Sequence, residues 1–131
     1  MIYHWNTMTP RERDVLVAEK VMGIEGVRTI TLIDGDGPRD DFGTLSEPYL
    51  MADGRMGRRA SQIKHYTTSI ADAFEVVEKM EQEGFGWLVS RASAKAPFTC
   101  WFGENHEGRA DTKEEAINIA ALRACGVEVT T

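Results

Sequence analysis

Ser69-Ile70-Ala71-Asp72-Ala73-Phe74-Glu75-Val76-Val77-Glu78-Lys79-Met80, followed by Gly84 and then by the runs Trp87-Leu88-Val89-Ser90-Arg91 and Phe98-Thr99-Cys100-Trp101-Phe102, is the stretch on which the fold reading turns. Its first part has the period of a helix. Ile70, Ala73, Phe74, Val77 and Met80 fall on one apolar stripe, opposite a face carrying Glu75, Glu78, Lys79, Glu81 and Gln82. Ser69 and Asp72 stand at capping-box spacing, Glu75 and Lys79 at the supportive i,i+4 order, and Gly84 where a helix stops. The two runs that follow, separated by Ala92-Ser93-Ala94-Lys95-Ala96-Pro97, read as an antiparallel hairpin. Alternation puts Trp87 and Val89 on one face of the first strand, and Phe98, Cys100 and Phe102 on one face of the second, with Thr99 and Trp101 pointing the other way. Both faces carry bulk, so both are expected to be at least partly covered.

Towards the C-terminus, Thr112 with Glu115 three residues on opens a last helix that Gly126 ends. Ala116, Ala120 and Ala124 recur every four residues, so the helix can lie close to whatever it covers, while Ile117, Ile119 and Leu122 widen its apolar side. Val127 to Thr131 reads as either an edge strand or a frayed end. Towards the N-terminus, Thr9-Pro10 with Glu12 marks a helix start, and Val15, Leu16, Ala18, Val21 and Met22 continue it to Gly23, which predicts helix over 10–22. Val27 to Ile33 is rich in β-branched residues and reads as a strand that stops at Asp34-Gly35-Asp36-Gly37-Pro38. Residues 34–66 hold two prolines and many glycines without sustained period beyond a short strand near Tyr49-Leu50-Met51, which predicts a long irregular loop or flap. The expected fold is therefore α+β: three main helices layered on a small antiparallel sheet in the order α-β-loop-α-β-β-α. One domain is expected over 1–131, with the inserted loop at about 34–66.

Composition agrees with a folded globular chain. Of 131 residues, 42% are hydrophobic and 27% charged, and no apolar stretch reaches the ~20 residues that span a bilayer. Met1-Ile2-Tyr3-His4-Trp5-Asn6 lacks the basic and apolar regions of a secretory leader, so the expectation is a protein of the cytoplasm, with no membrane partner. A net charge of -6 disfavours generic nucleic-acid binding. Cys100 and Cys125 lie far apart within apolar patterns and read as free buried thiols rather than a disulfide or a metal site.

Three stretches together resemble a known family: Met8-Thr9-Pro10-Arg11-Glu12-Arg13-Asp14 with Val17 to Gly23, Tyr66-Thr67-Thr68-Ser69-Ile70 onward to Lys79, and Thr112 to Gly126 continuing through Val127-Glu128. The chain is similar there to the phage ABA sandwich domain family, small proteins encoded by bacteriophages and prophages. The resemblance covers the two ends and the middle of the chain. It implies helices layered on an antiparallel sheet, a phage or prophage origin and hence the host bacterial cytoplasm, and no activity, because the matching positions are capping and core residues. Residues 24–65 depart most from the family pattern.

Motifs for chemistry are sparse. Asp34-Gly35-Asp36-Gly37 fails as a calcium loop, since its sixth and twelfth positions are Arg39 and Leu45, and reads as an acidic turn. Gly54-Arg55-Met56-Gly57-Arg58-Arg59 lacks the Gly-Lys-Ser/Thr ending of a P-loop. Arg55, Arg58, Arg59, Lys64 and His65 nevertheless form a positive stretch that suits a phosphate or carboxylate; the alternative is a solvated loop whose arginines pair with the preceding aspartates. Arg91 and Trp101 in the hairpin could join such a site by stacking, against the commoner fate of core packing. No metal ligand set, catalytic residue or cofactor motif stands out, for the three histidines His4, His65 and His106 have no zinc-type spacing and no Gly-x-Ser-x-Gly elbow occurs. A double-stranded RNA-binding domain is rejected on charge, because Thr112-Lys113-Glu114-Glu115 replaces the basic helix start.

Two functions of different class follow. The first is a non-enzymatic phage protein that binds a small phosphate-containing ligand, such as a host defence signalling nucleotide, through the basic loop. The second is a protein-interaction or self-assembly module that binds a host or phage protein, or forms a homo-oligomer.

Overall fold

The computed structural model describes residues 1–25, 27–34, 37–50 and 52–131, and for 27–34, 37–50 and 56–61 it is the backbone that is described. The elements run β1 (Ile2–His4), a 3-10 turn (Trp5–Thr7), α1 (Pro10–Lys20), β2 (Val27–Asp34), β3 (Gly37–Leu50), β4 (Met56–Gln62), α2 (Ile70–Gln82), β5 (Trp87–Arg91), β6 (Phe98–Phe102), β7 (His106–Ala110), α3 (Lys113–Ala124) and β8 (Glu128–Thr130). The class is α+β, as expected, with three helices and antiparallel sheets β5-β6-β7 and β2-β3-β4, plus a small parallel pair β1-β8.

All three helices start where their capping residues place them. The Thr9 hydroxyl accepts from the Glu12 N–H at 3.2 Å, Ser69 from Asp72 at 3.4 Å and Thr112 from Glu115 at 3.2 Å. Two helices also stop by one device. At the end of α2 the Phe85 N–H reaches the Met80 carbonyl and the Gly84 N–H that of Glu81; at the end of α3 Val127 reaches Leu122 and Gly126 reaches Arg123. Each is a Schellman closure, and it requires the left-handed φ of 94° at Gly84 and 84° at Gly126.

Helix α3 is the centre of the molecule. Every residue from Ala116 to Leu122 is buried, so this stretch needs cover on all sides, and its one polar member, Asn118, donates to the Tyr66 and Glu114 carbonyls. Strands β6 and β7 lie along it, α2 and α1 pack from the helix side, and β8 crosses near its end. The close approach expected of the alanines is made to β7, where Gly108 faces Ala116 and Ala120 with no room for a Cβ. Cys100 and Phe102 of β6 fill the layer beneath α3, and Ala73, Val76, Val77 and Met80 fill it from α2.

Several expectations need correction. The irregular loop at 34–66 is not one: it holds β3 and β4, each in antiparallel register, with Asp34 opposite Gly37, Leu45 opposite Ser61 and Leu50 opposite Met56. Local composition is a poor guide here because hydrogen bonds to neighbouring strands, not propensity, hold these residues extended. Pro38 faces Ile33 of β2 and Pro48 faces Arg58 of β4, and at each of these positions β3 has a partner on one side only. Proline is confined in sheets to such singly paired positions, where its missing N–H can be turned to the open side. The acidic turn residues 35 and 36, and Met51, lie outside the described residues. Strands β1 and β7 were also not anticipated, being short or poor in β-branched residues, and the C-terminal segment forms β8 in parallel register with β1 through Tyr3 and Val129. In the α2 stripe Val76 is buried while Phe74 is turned outward. Cys100 is free and buried, but Cys125 is free and exposed.

Candidate interaction surface

The hairpin strands alternate as their sequence requires, but one end of their inner face is left open. Phe74 on α2 is 45% exposed, Trp87 43% and Leu88 58%, and among the described residues the other large apolar side chains so exposed are Met1 and Ile2 at the N-terminus. Phe74 and Trp87 pack edge to face with ring centroids 6.4 Å apart. The Trp87 Nε1–H donates to the Glu81 carboxylate at 3.1 Å, which fixes the indole against α2 without burying it. On the other face of the strand, Leu88 lies opposite Trp101, and Gly86, Trp87, Leu88, Trp101, Gly103 and Glu104 line an open cleft of about 520 Å³. Trp101, half-buried, thus belongs to an apolar surface, and Arg91 does not share its face. The Arg91 guanidinium donates to the carbonyls of Ala94 and Ala96 in the hairpin loop and lies 4.5 Å from the centre of the Phe98 ring.

The positive stretch is not gathered into one concavity among the described side chains. Arg55, in the turn between β3 and β4, is ion-paired with Asp53 at 2.6 Å, and this pairing holds the Asp53 carboxyl below the usual carboxylate range. Lys64 donates to the Glu75 carboxylate of α2, which holds its ammonium group above the usual lysine range. The His65 ring lies 3.3 Å from an Arg11 nitrogen, and its backbone N–H donates to Asp72 at 2.9 Å. Arg58 and Arg59 pair in backbone register with Pro48 and Glu47, and their side chains lie outside those described.

A family model, the phage ABA sandwich domain, matches residues 15–122. The chain belongs to that family. Among solved structures, this ABA sandwich protein is similar to a phage protein from Bacillus cereus ATCC 14579, known from a 2.0 Å crystal structure. The two are 23% identical with a TM-score of 0.62, over 95% of this chain and 94% of that one, a likeness that speaks to the fold. No curated protein matches the chain. Among the described residues, no helix is long and apolar enough to cross a membrane.

Reading the sequence of this ABA sandwich domain missed two clusters. One is the Phe74, Trp87 and Leu88 surface, for which the available signal was that Leu88 stands opposite Trp101 on the face away from α3. The other is structural. The Trp5 indole, buried, donates to Glu115 at 3.2 Å; Arg13 donates to the same carboxylate at 2.7 Å and to the Trp5 carbonyl, joining the N-terminal turn, α1 and α3. No periodicity announces such a node, because its members are 8 and more than 100 residues apart in the chain.

The two thiols should differ in reactivity. Burial pushes the Cys100 thiol up to about 12, and burial with the nearby Glu83 also raises that of the exposed Cys125. The thiolate is the reactive species, so a thiol reagent at pH 8 is expected to label Cys125 alone in the native ABA sandwich protein and both cysteines after unfolding. Rapid native labelling of Cys100 would contradict the packing described.

Proposed function

We propose that this ABA sandwich protein acts by binding rather than by turnover, as an interaction module whose contact surface is the exposed apolar end of the β5-β6-β7 sheet. One observation carries the reading: three large apolar side chains stand exposed around the β5 edge, Trp87 against Phe74 on the inner face and Leu88 beside Trp101 at an open cleft on the outer one. Contiguous apolar surface of this kind marks interaction sites, because leaving it in water is unfavourable at ~25 cal/mol per Å². The test is affinity capture from the expressing host, comparing the wild type with the Phe74→Lys and Leu88→Lys variants. Leu88→Lys should change stability by no more than about 0.5 kcal/mol and Phe74→Lys, which gives up the ring contact with Trp87, by about 1 kcal/mol, while the bound partner, whether another protein or a second copy, should be lost. An unchanged set of bound proteins in both variants would overturn the reading.

The rival function is capture of a small phosphate-bearing ligand, such as a host signalling nucleotide, by Arg55, Arg58, Arg59, Lys64 and His65. An anion there has to displace Asp53 from Arg55 and Glu75 from Lys64, two contacts already made within the chain. We therefore expect no nucleotide of a cyclic and linear panel to raise the melting temperature. A rise that disappears in Arg58→Ala and Arg59→Ala would reinstate the ligand function.

A further inference from the structure

Strand β5 is an edge strand, and its backbone parity can be worked out. The Gly103 N–H donates to the Gly86 carbonyl at 2.8 Å, and Leu88 faces Trp101 in the register that continues from it. In an antiparallel ladder, hydrogen-bonded pairs alternate with non-bonded ones. Gly86, Leu88 and Ser90 therefore turn their backbone groups towards β6. Trp87, Val89 and Arg91 turn theirs to the open edge, and among the described residues no hydrogen bond reaches them there. The opposite edge differs. On β7, Glu107 and Arg109 face outward by the same parity, and the Glu107 carbonyl already accepts from Arg123 of α3 at 2.8 Å. An edge strand without a bulge, a proline or a covering side chain is a template for another strand. Within β5 a charge stands only at its last residue, Arg91.

We propose that a second copy of this chain occupies the β5 edge, pairing antiparallel about a two-fold axis at Val89 and joining the two three-stranded sheets into one. The inference rests on the interaction-module reading and names its partner. Two features select a second copy and this register. First, centring on Val89 pairs every outward residue with an outward residue, Trp87 with Arg91 of the other copy, Val89 with Val89, and Arg91 with Trp87. That gives about six backbone hydrogen bonds, against about four for a slip of one pair in either direction. Second, the cross-strand partners are complementary: each Trp87 ring, carrying the Glu81 carboxylate on its Nε1–H, comes to lie opposite an Arg91 of the other copy. An aromatic face and a carboxylate both attract a guanidinium, and self-pairing supplies the match at both ends.

The experiment uses the full chain. Light scattering and sedimentation equilibrium should give twice the chain mass of 14.6 kDa. Val89→Pro removes an N–H that points away from β6, so the β5-β6 ladder keeps its bonds and the chain should still fold, with a melting temperature lowered by the loss of a partly buried valine, while the mass falls to that of one chain. The register has its own test in a Cys125→Ser background. Leu88 and Ser90 of the other copy form a non-hydrogen-bonded pair, about 4.5 Å between Cα atoms, within disulfide range. Mixing Leu88→Cys chains with Ser90→Cys chains should therefore yield a cross-linked dimer on oxidation that neither gives alone. This readout decides the matter if Val89→Pro does not fold. A wild type that stays at one chain mass into the high micromolar range overturns the proposal, and so does a dimer that survives Val89→Pro with no mixed cross-link. If such a monomer still captures another protein in a way that depends on Phe74 or Leu88, the interaction-module reading stands with a foreign partner; if neither Phe74→Lys nor Leu88→Lys changes anything, that reading falls as well.

Discussion

Gly108→Ala is expected to destabilise the protein by about 3 kcal/mol or more, a loss of roughly 10 °C in melting temperature for a chain of this size. A Cβ at this position would fall well inside van der Waals distance of the Ala116 carbonyl oxygen and the Ala120 amide nitrogen, and 3.1 Å from the Ala120 Cα. All three are backbone atoms of α3, so no rotamer change can make room. The sheet would have to lift off a helix that is buried along its whole middle. Overpacking against backbone costs more than overpacking against a side chain, because relief requires moving an element. Gly86→Ala is the control: nothing lies within 4 Å of its added Cβ and its backbone is not left-handed, so a change within about 0.5 kcal/mol is expected. Thermal unfolding of the two variants followed by circular dichroism makes the comparison, and equal losses would show that the sheet-to-helix spacing is softer than the packing implies.

The second large effect belongs to Asp14, fully buried on α1. One of its oxygens accepts from both the backbone N–H of Thr67 at 2.9 Å and the Thr67 hydroxyl at 2.7 Å, and the other is ion-paired with Arg11 at 2.9 Å. Arg11 in turn donates to the carbonyls of Ile63 and Lys64. The carboxylate thus fastens α1 to the turn that leads into α2. Asp14→Ala would leave the Thr67 N–H without an acceptor in a buried site, the Thr67 hydroxyl with only the Pro10 carbonyl at 3.4 Å, and Arg11 without its counter-charge, a loss of about 3 kcal/mol. Urea unfolding is the measure, with the midpoint lowered and the slope unchanged. Asp14→Asn keeps one acceptor oxygen and should lose about half as much. Because Thr67 is a shared partner, Thr67→Val should cost less in the Asp14→Ala background than in the wild type. Simple additivity would mean that the two side chains do not act as a unit.

The positions of these two residues show how much the sequence disclosed. The alanines at 116 and 120 announced that α3 lies close to something, and they did so because four-residue spacing is visible along one helix. That the other party is Gly108 was hidden, since a lone glycine in a short, polar stretch carries no pattern. Asp14 looked like any acid on a solvated helix face, and its burial depends on a turn 53 residues away. The candidate surface was legible in pieces. Trp101 and Arg91 were picked out as aromatic and basic members of the hairpin, but their grouping was not: Trp101 joins Leu88, while Arg91 closes its own loop. Phe74 fell on the apolar stripe and yet faces outward, packed against Trp87, while Val76 beside it is buried.

What the sequence determined by itself is whatever is decided within a few residues: three helices with their caps and stops, one hairpin with its alternation, an α+β class and membership of the phage ABA sandwich family. Capping hydrogen bonds, turn glycines and periodic apolar stripes are local interactions, and each leaves its mark at fixed spacing. What only the tertiary structure decided is who lies beside whom: β3 and β4 where an irregular loop was expected, β1 beside β8 across the whole chain, Gly108 under α3, and Trp87 left open at a free edge. Backbone N–H and C=O groups are alike in every residue, so strand pairing and the emptiness of an edge are set by the neighbours that the fold supplies, not by the residues that take part.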